Sequence, residues 1–172
     1  MPPSEQDERS GGVAQPLPGG TALPQVADDL HFELAPELVA PSIARDRFER
    51  WLRDLRWPSG QSEDLVLALS EAVSNSVEHG YRVRAEQAPP DLGEATVEVR
   101  ARVLAEESGR RRIALTVRDH GRWREPAGPA GFRGHGLSII RACADRFSID
   151  GDAGGTTLTL VTRAAPPSPE GR

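Results

Sequence analysis

Four groups of residues in this chain combine types and spacings that can do chemistry. Glu71, Asn75 and His79 stand four apart, and on an α-helix that spacing stacks a carboxylate, an amide and an imidazole along one edge. An amide oxygen is a hard ligand that suits Mg²⁺ alongside phosphate oxygens, and a carboxylate one turn away can orient or deprotonate an attacking hydroxyl. A merely solvated helix edge has the same spacing. Asp119 precedes Gly121 by two residues in Val-Arg-Asp-His-Gly. Its carboxylate can accept a hydrogen bond from an exocyclic amino group, and the glycine leaves room for a flat ring. An ordinary Asp–Gly turn reads the same way. Arg133-Gly134-His135-Gly136-Leu137 comes next. Its glycines and a following helix N-terminus can admit a phosphate, with Arg133 supplying positive charge. Last, Gly154-Gly155-Thr156-Thr157 opens a strand pattern and offers Thr156 as a polar contact.

The elements that must carry these residues follow from periodicity. Alternation over 31–35 predicts a strand, and apolar residues at Val39, Ile43, Phe48, Leu52 and Leu55 predict a helix over 38–55, ended by Pro58. A second helix is predicted over 63–79, with Ser62 as its cap and Gly80 as a left-handed C-terminal residue. Leu65, Leu69, Val73 and Ser76 form its inward stripe. Alternating runs over 96–104 and 112–117, joined by a turn over 106–110, predict an antiparallel hairpin. A short helix over 137–144 and strands over 147–149 and 156–162 close the pattern. Without a repeating strand–helix alternation, the expected fold is α/β of the α+β kind. It is a two-layer sandwich with a mainly antiparallel mixed sheet and helices on one face.

Composition narrows the classes. All 21 basic residues are arginine, which excludes lysine Schiff-base chemistry, a Walker-type phosphate loop and the active-site lysine of ordinary protein kinases. A single cysteine excludes an internal disulfide and a multi-cysteine zinc site. A net charge of −5 argues against broad nucleic-acid binding. No apolar run approaches the roughly 18–20 residues of a membrane span, and the first residues do not resemble a signal peptide, so no membrane association and a cytoplasmic location are expected. Residues 1–28 are expected to be a disordered leader, 29–163 the domain and 164–172 a disordered tail.

The order of the four groups carries more than any one of them. A helical Glu-x₃-Asn-x₃-His, a strand-borne Asp-x-Gly, a glycine-rich segment ending in Gly-x-Gly-Leu, and Gly-Thr in a strand follow one another. The series resembles the ATP-binding domain shared by gyrase, histidine kinases and mismatch-repair ATPases, the GHKL or Bergerat fold. Within it, LALSEAVSNSVEHGYR (Leu67 to Arg82) resembles the bacterial anti-sigma-factor serine/threonine kinases, and the resemblance covers residues 30–163. It implies ATP and Mg²⁺ as cofactors, with Asn75 holding the metal and His79 belonging to the same nucleotide helix. Glu71 would be the general base toward a protein hydroxyl, and Asp119 would bind the adenine amino group, with Gly121 permitting close approach. Arg133, Gly134, His135, Gly136 and Leu137 would cradle the phosphates beneath a lid, and Thr156 would complete the adenine network. One departure stands out. The family pattern Asp-x-Gly-x-Gly has Trp123 in place of its second glycine, a bulky ring where the lid begins.

The resemblance implies a factor that sequesters a sigma subunit and phosphorylates an anti-anti-sigma protein on Ser or Thr. Two other classes share the motifs: a non-catalytic, nucleotide-dependent partner-binding module, and a detached histidine-kinase catalytic domain, for which no phosphoacceptor helix is evident. A homodimer through the N-terminal part of the body is expected, because Phe48 and Trp51 add apolar surface beyond what one small sheet needs.

Overall fold

A computed structural model of the protein describes residues 29–87, 91–121, 140–142 and 144–168. The chain runs β1 (Asp29–Leu34), α1 (Ala40–Asp54), α2 (Ser59–Asn75), a single π-helical turn (Ser76–Gly80), β2 (Val97–Ala105), β3 (Arg111–Asp119), β4 (Ala144–Asp152) and β5 (Gly155–Thr162). The strands form one sheet in the order β1-β2-β3-β5-β4, and every pairing among them is antiparallel.

Alternation decides which sheet face is covered. In β3, Ile113, Leu115, Val117 and Asp119 are buried, while Arg112, Ala114, Thr116 and Arg118 are half-buried or exposed. Val97 and Val99 of β2 and Leu158 and Leu160 of β5 join the buried face, and α1 and α2 complete the same core with Phe48, Leu52, Leu65, Leu69 and Val73. The two-layer α+β architecture is therefore as the periodicity predicts, with a sheet that is wholly antiparallel among the described residues.

α1 begins with proline in its first turn, where no intrahelical N–H is lost. It ends in a Schellman arrangement: Arg56 N–H donates to Arg53 O (2.9 Å) and Trp57 N–H to Leu52 O (2.9 Å). Arg56 takes the left-handed conformation (φ 49°) that glycine usually supplies. Arg111 then seals this end. Its guanidinium lies 4.9 Å from the Trp57 ring centroid and donates to Leu55 O (3.0 Å) and Pro166 O (3.2 Å).

Several expectations are corrected. α2 starts at Ser59, so Ser62 is no cap. It sits inside the first turn, and its hydroxyl donates back to Pro58 O (3.1 Å). Gly80 is not left-handed, because the helix closes through a π turn instead, and Arg82 takes φ 59° beyond it. β4 begins at Ala144, where a helix end was predicted; of that helix, residues 140–142 are helical and the rest lies outside the described residues. Ala165, assigned above to the tail, is buried, and its backbone exchanges hydrogen bonds with Arg111. Phe48 and Trp51 stack on one another at 5.6 Å within the chain's own core, so they are not spare surface for a dimer. Among the described residues no helix is long and apolar enough to cross a membrane. The leader, residues 1–28, and the tail residues 169–172 lie outside the described residues.

Candidate functional site

The site is built where the end of α2 meets the end of β3. Asp119 belongs to the same side of β3 as Ile113, Leu115 and Val117, so strand parity aims its carboxylate into the core face, where it is only 2% exposed. A carboxylate in such a place needs donors. Among the described residues it has three: the Ser76 hydroxyl, the Gly121 N–H (3.0 Å to Oδ1) and the Thr156 N–H. Burial nonetheless dominates and pushes its pKa above the usual aspartate range, with the three donors and nearby His120 acting the other way. An ionised carboxylate has about four lone-pair sites, so among the described residues one acceptor site is left for a further N–H donor.

Three glycines let the backbone close around this group. A Cβ on Gly80 would stand 3.0 Å from Asp119 Oδ1. One on Gly121 would stand 2.7 Å from Gly80 Cα, and one on Gly155, at φ 130°, would stand 2.8 Å from the Asp119 carbonyl carbon. Tyr81 ties the rim together. Its hydroxyl donates to Thr96 O (2.7 Å) and accepts from the His120 N–H (2.9 Å), and burial beside Asp119 raises its pKa. Thr156 is the direct register partner of Asp119 on β5.

The π turn gives the helix its place in the site. Tyr81 N–H reaches back five residues to Ser76 O (3.0 Å), and Val83 N–H bonds Val77 O (3.0 Å). Such widened turns are often found at functional sites. Here Ser76, the first residue of the turn, meets Asp119, so Asn75 and, one turn earlier, Glu71 fall on the flank beside it; both are half-buried. His79 lies inside the widened turn and is exposed, off the regular stacking expected for it. The structure thus brings Asp119, Gly121 and Thr156 together with the end of the Glu71–Asn75 helix. Arg133, Gly134, His135, Gly136 and Leu137, with Trp123, lie outside the described residues.

Sequence reasoning missed Ser76, Tyr81 and Gly80 as members of this site, and within Gly154–Thr157 it singled out Thr156 and not Gly155. Ser76 left a signal: a hydroxyl on an otherwise apolar inward stripe must find a buried partner.

Residues 32–162 match the histidine kinase-like ATPase domain, and the chain belongs to that family. It is similar to the RsbU and RsbW domains of Rv1364c from Mycobacterium tuberculosis, at 28% identity and a TM-score of 0.58 over 81% of this chain and 33% of that one. This chain thus spans about a third of the length of that two-domain chain. A second match is the histidine kinase domain of the blue-light-activated histidine kinase from Erythrobacter litoralis EL346, at 18% identity and a TM-score of 0.43 over 61% of this chain and 45% of that one. The GHKL resemblance read from the motifs is borne out, and the chain is a histidine kinase-like, ATP-binding domain.

Proposed function

We propose that the protein is an anti-sigma regulatory factor that sequesters a sigma subunit and, as a homodimer in the cytoplasm, phosphorylates an anti-anti-sigma protein on serine or threonine. The observation that carries the nucleotide part is the Asp119 carboxylate. It is buried, fixed by three donors and left with one acceptor site, which fits the exocyclic amino group of adenine. Thr156, its register partner, lines the same spot. The regulatory part is supported by the likeness of Leu67 to Arg82 to the anti-sigma kinases and by the similarity to a chain carrying an RsbW domain.

Asn75, near the end of α2, offers a side-chain amide oxygen that suits Mg²⁺ held between protein and phosphates, with the Glu71 carboxylate one turn earlier. ATP, when bound, supplies the phosphoryl group. The chain's own residues do the rest. Asp119 would fix the base, Asn75 would present its side-chain oxygen to the metal, and a Glu71 carboxylate oxygen would take the proton of the acceptor hydroxyl as that hydroxyl's oxygen gains the γ-phosphoryl group and ADP leaves. Arg133 and Gly134, His135, Gly136 and Leu137 would close over the phosphates, and His79 would flank the helix end. Trp123, where a second lid glycine is usual, favours one alternative: a module that holds nucleotide and partner without transferring phosphate. Incubation with labelled ATP, Mg²⁺ and candidate anti-anti-sigma proteins separates the two. Phosphoserine or phosphothreonine on a partner supports the kinase, and stable binding without transfer supports the module.

A further inference from the structure

We propose a divalent transition-metal site, of the Zn²⁺ class, on the face of the sheet that no described helix covers, formed by His31 and Glu33 of β1 and Glu98 of β2. The register sets the group. Glu33 stands directly opposite Glu98, and His31 is opposite Arg100, two residues along on the same face. Opposed like charges on neighbouring strands are destabilising unless a cation intervenes. Among the described residues Glu33 has no ion-pair or hydrogen-bonding partner, whereas Glu98 accepts from His31 Nε2 (2.9 Å) and from Arg100 Nε (2.7 Å) on one oxygen. One ligand atom from each of His31, Glu33 and Glu98 lies within 4.8 Å of the others. Around Zn²⁺ at about 2.0–2.2 Å, donor atoms stand about 3.4 Å apart, a closure that the exposed His31 and Glu33 side chains reach by small rotations.

The donor set decides the ion. An imidazole with two carboxylates suits Zn²⁺, Ni²⁺ or Cu²⁺ better than Mg²⁺, which prefers all-oxygen ligands. Three protein ligands on an open surface leave further positions for water. The site is separate from the nucleotide site, because Asp119 faces the covered side of the sheet and Glu98 the other. Arg100 is its competitor: its guanidinium holds one oxygen of Glu98 and sets a positive charge beside the site.

The test is a Zn²⁺ titration by calorimetry on the untagged, metal-stripped full chain without nucleotide. The site requires one Zn²⁺ per chain, affinity weakened at least tenfold in both His31→Gln and Glu33→Gln, and tighter binding in Arg100→Gln, a gain that misfolding cannot imitate. Asp119→Asn should leave the titration unchanged. No uptake by the wild type at millimolar Zn²⁺, or uptake that survives either His31→Gln or Glu33→Gln, overturns the proposal.

Discussion

Asp119 on β3 and Thr156 on β5 face each other across the sheet, and the Thr156 N–H donates to the Asp119 carboxylate. The hydrogen bond joins two motifs that lie far apart in sequence at the proposed adenine-recognition point, where the state of Asp119 would be decisive. Asp119→Asn would turn one acceptor into a donor facing the Gly121 and Thr156 N–H groups or the base. At about 1–3 kcal/mol for an unsatisfied buried polar group, nucleotide affinity should fall roughly 10- to 100-fold, read by calorimetry with ATP or ADP.

The same carboxylate predicts a pH dependence. Its pKa in the fold is raised by burial above the unfolded value of about 3.9. The fold therefore favours the protonated form, and Asp119's contribution to stability is complete below the unfolded value and lost as pH rises through the folded one. Nucleotide binding runs the opposite way, since only the ionised carboxylate accepts from an amino group without donating. ATP affinity should therefore decline on acidification at a pH above the ordinary aspartate range, and that decline should be absent in Asp119→Asn.

Gly121 packs its backbone on that of Gly80, so Gly121→Ala must push the end of β3 away from the π turn. We expect a loss of about 1–3 kcal/mol in chemical denaturation, with nucleotide binding lost along with it. Gly60→Ala is the contrasting case. Nothing lies within 4 Å of the added Cβ, in the first turn of α2, and it should be neutral or stabilise by up to about 1 kcal/mol.

Much of this was legible in the chain. Alternation over β2 and β3 and the apolar spacing of α1 and α2 state their own burial, because parity and the 3.6 period decide which side chains lose water. The π turn was not legible: the inward stripe passes from Val73 through Ser76 and Val77 without a break, and only the Asp119 carboxylate makes Ser76 a polar partner. Gly80 looked like a left-handed stop because that is the commonest use of a glycine after a helix; its real constraint is the approach of a side chain from another strand. Ala165 read as tail because its burial comes from a long-range bridge to Arg111, which no local pattern announces.

Arg56 is a local test of the helix-end account. A non-glycine residue at φ 49° in the Schellman position carries a steric cost that glycine lacks. Arg56→Gly should stabilise the protein by about 0.5 kcal/mol, after allowing for the extra freedom of glycine in the unfolded chain. A denaturant midpoint that falls would contradict it.

The proposed division of labour on α2 separates two substitutions. Asn75→Ala should lose the Mg²⁺-dependent part of nucleotide affinity together with transfer, because the metal would tie the phosphates to the helix. Calorimetry with and without Mg²⁺ reads the difference directly.

The central claim is phosphoryl transfer to a protein hydroxyl with Glu71 as base. The measurement is the rate of label transfer from ATP to an anti-anti-sigma protein by the wild type and by Glu71→Ala, with the modified residue mapped. The account predicts transfer to serine or threonine by the wild type and a loss of about 10²–10⁴-fold in Glu71→Ala, with nucleotide affinity largely intact. Transfer that continues unchanged in Glu71→Ala, or a wild type that transfers to no partner it binds, would contradict it.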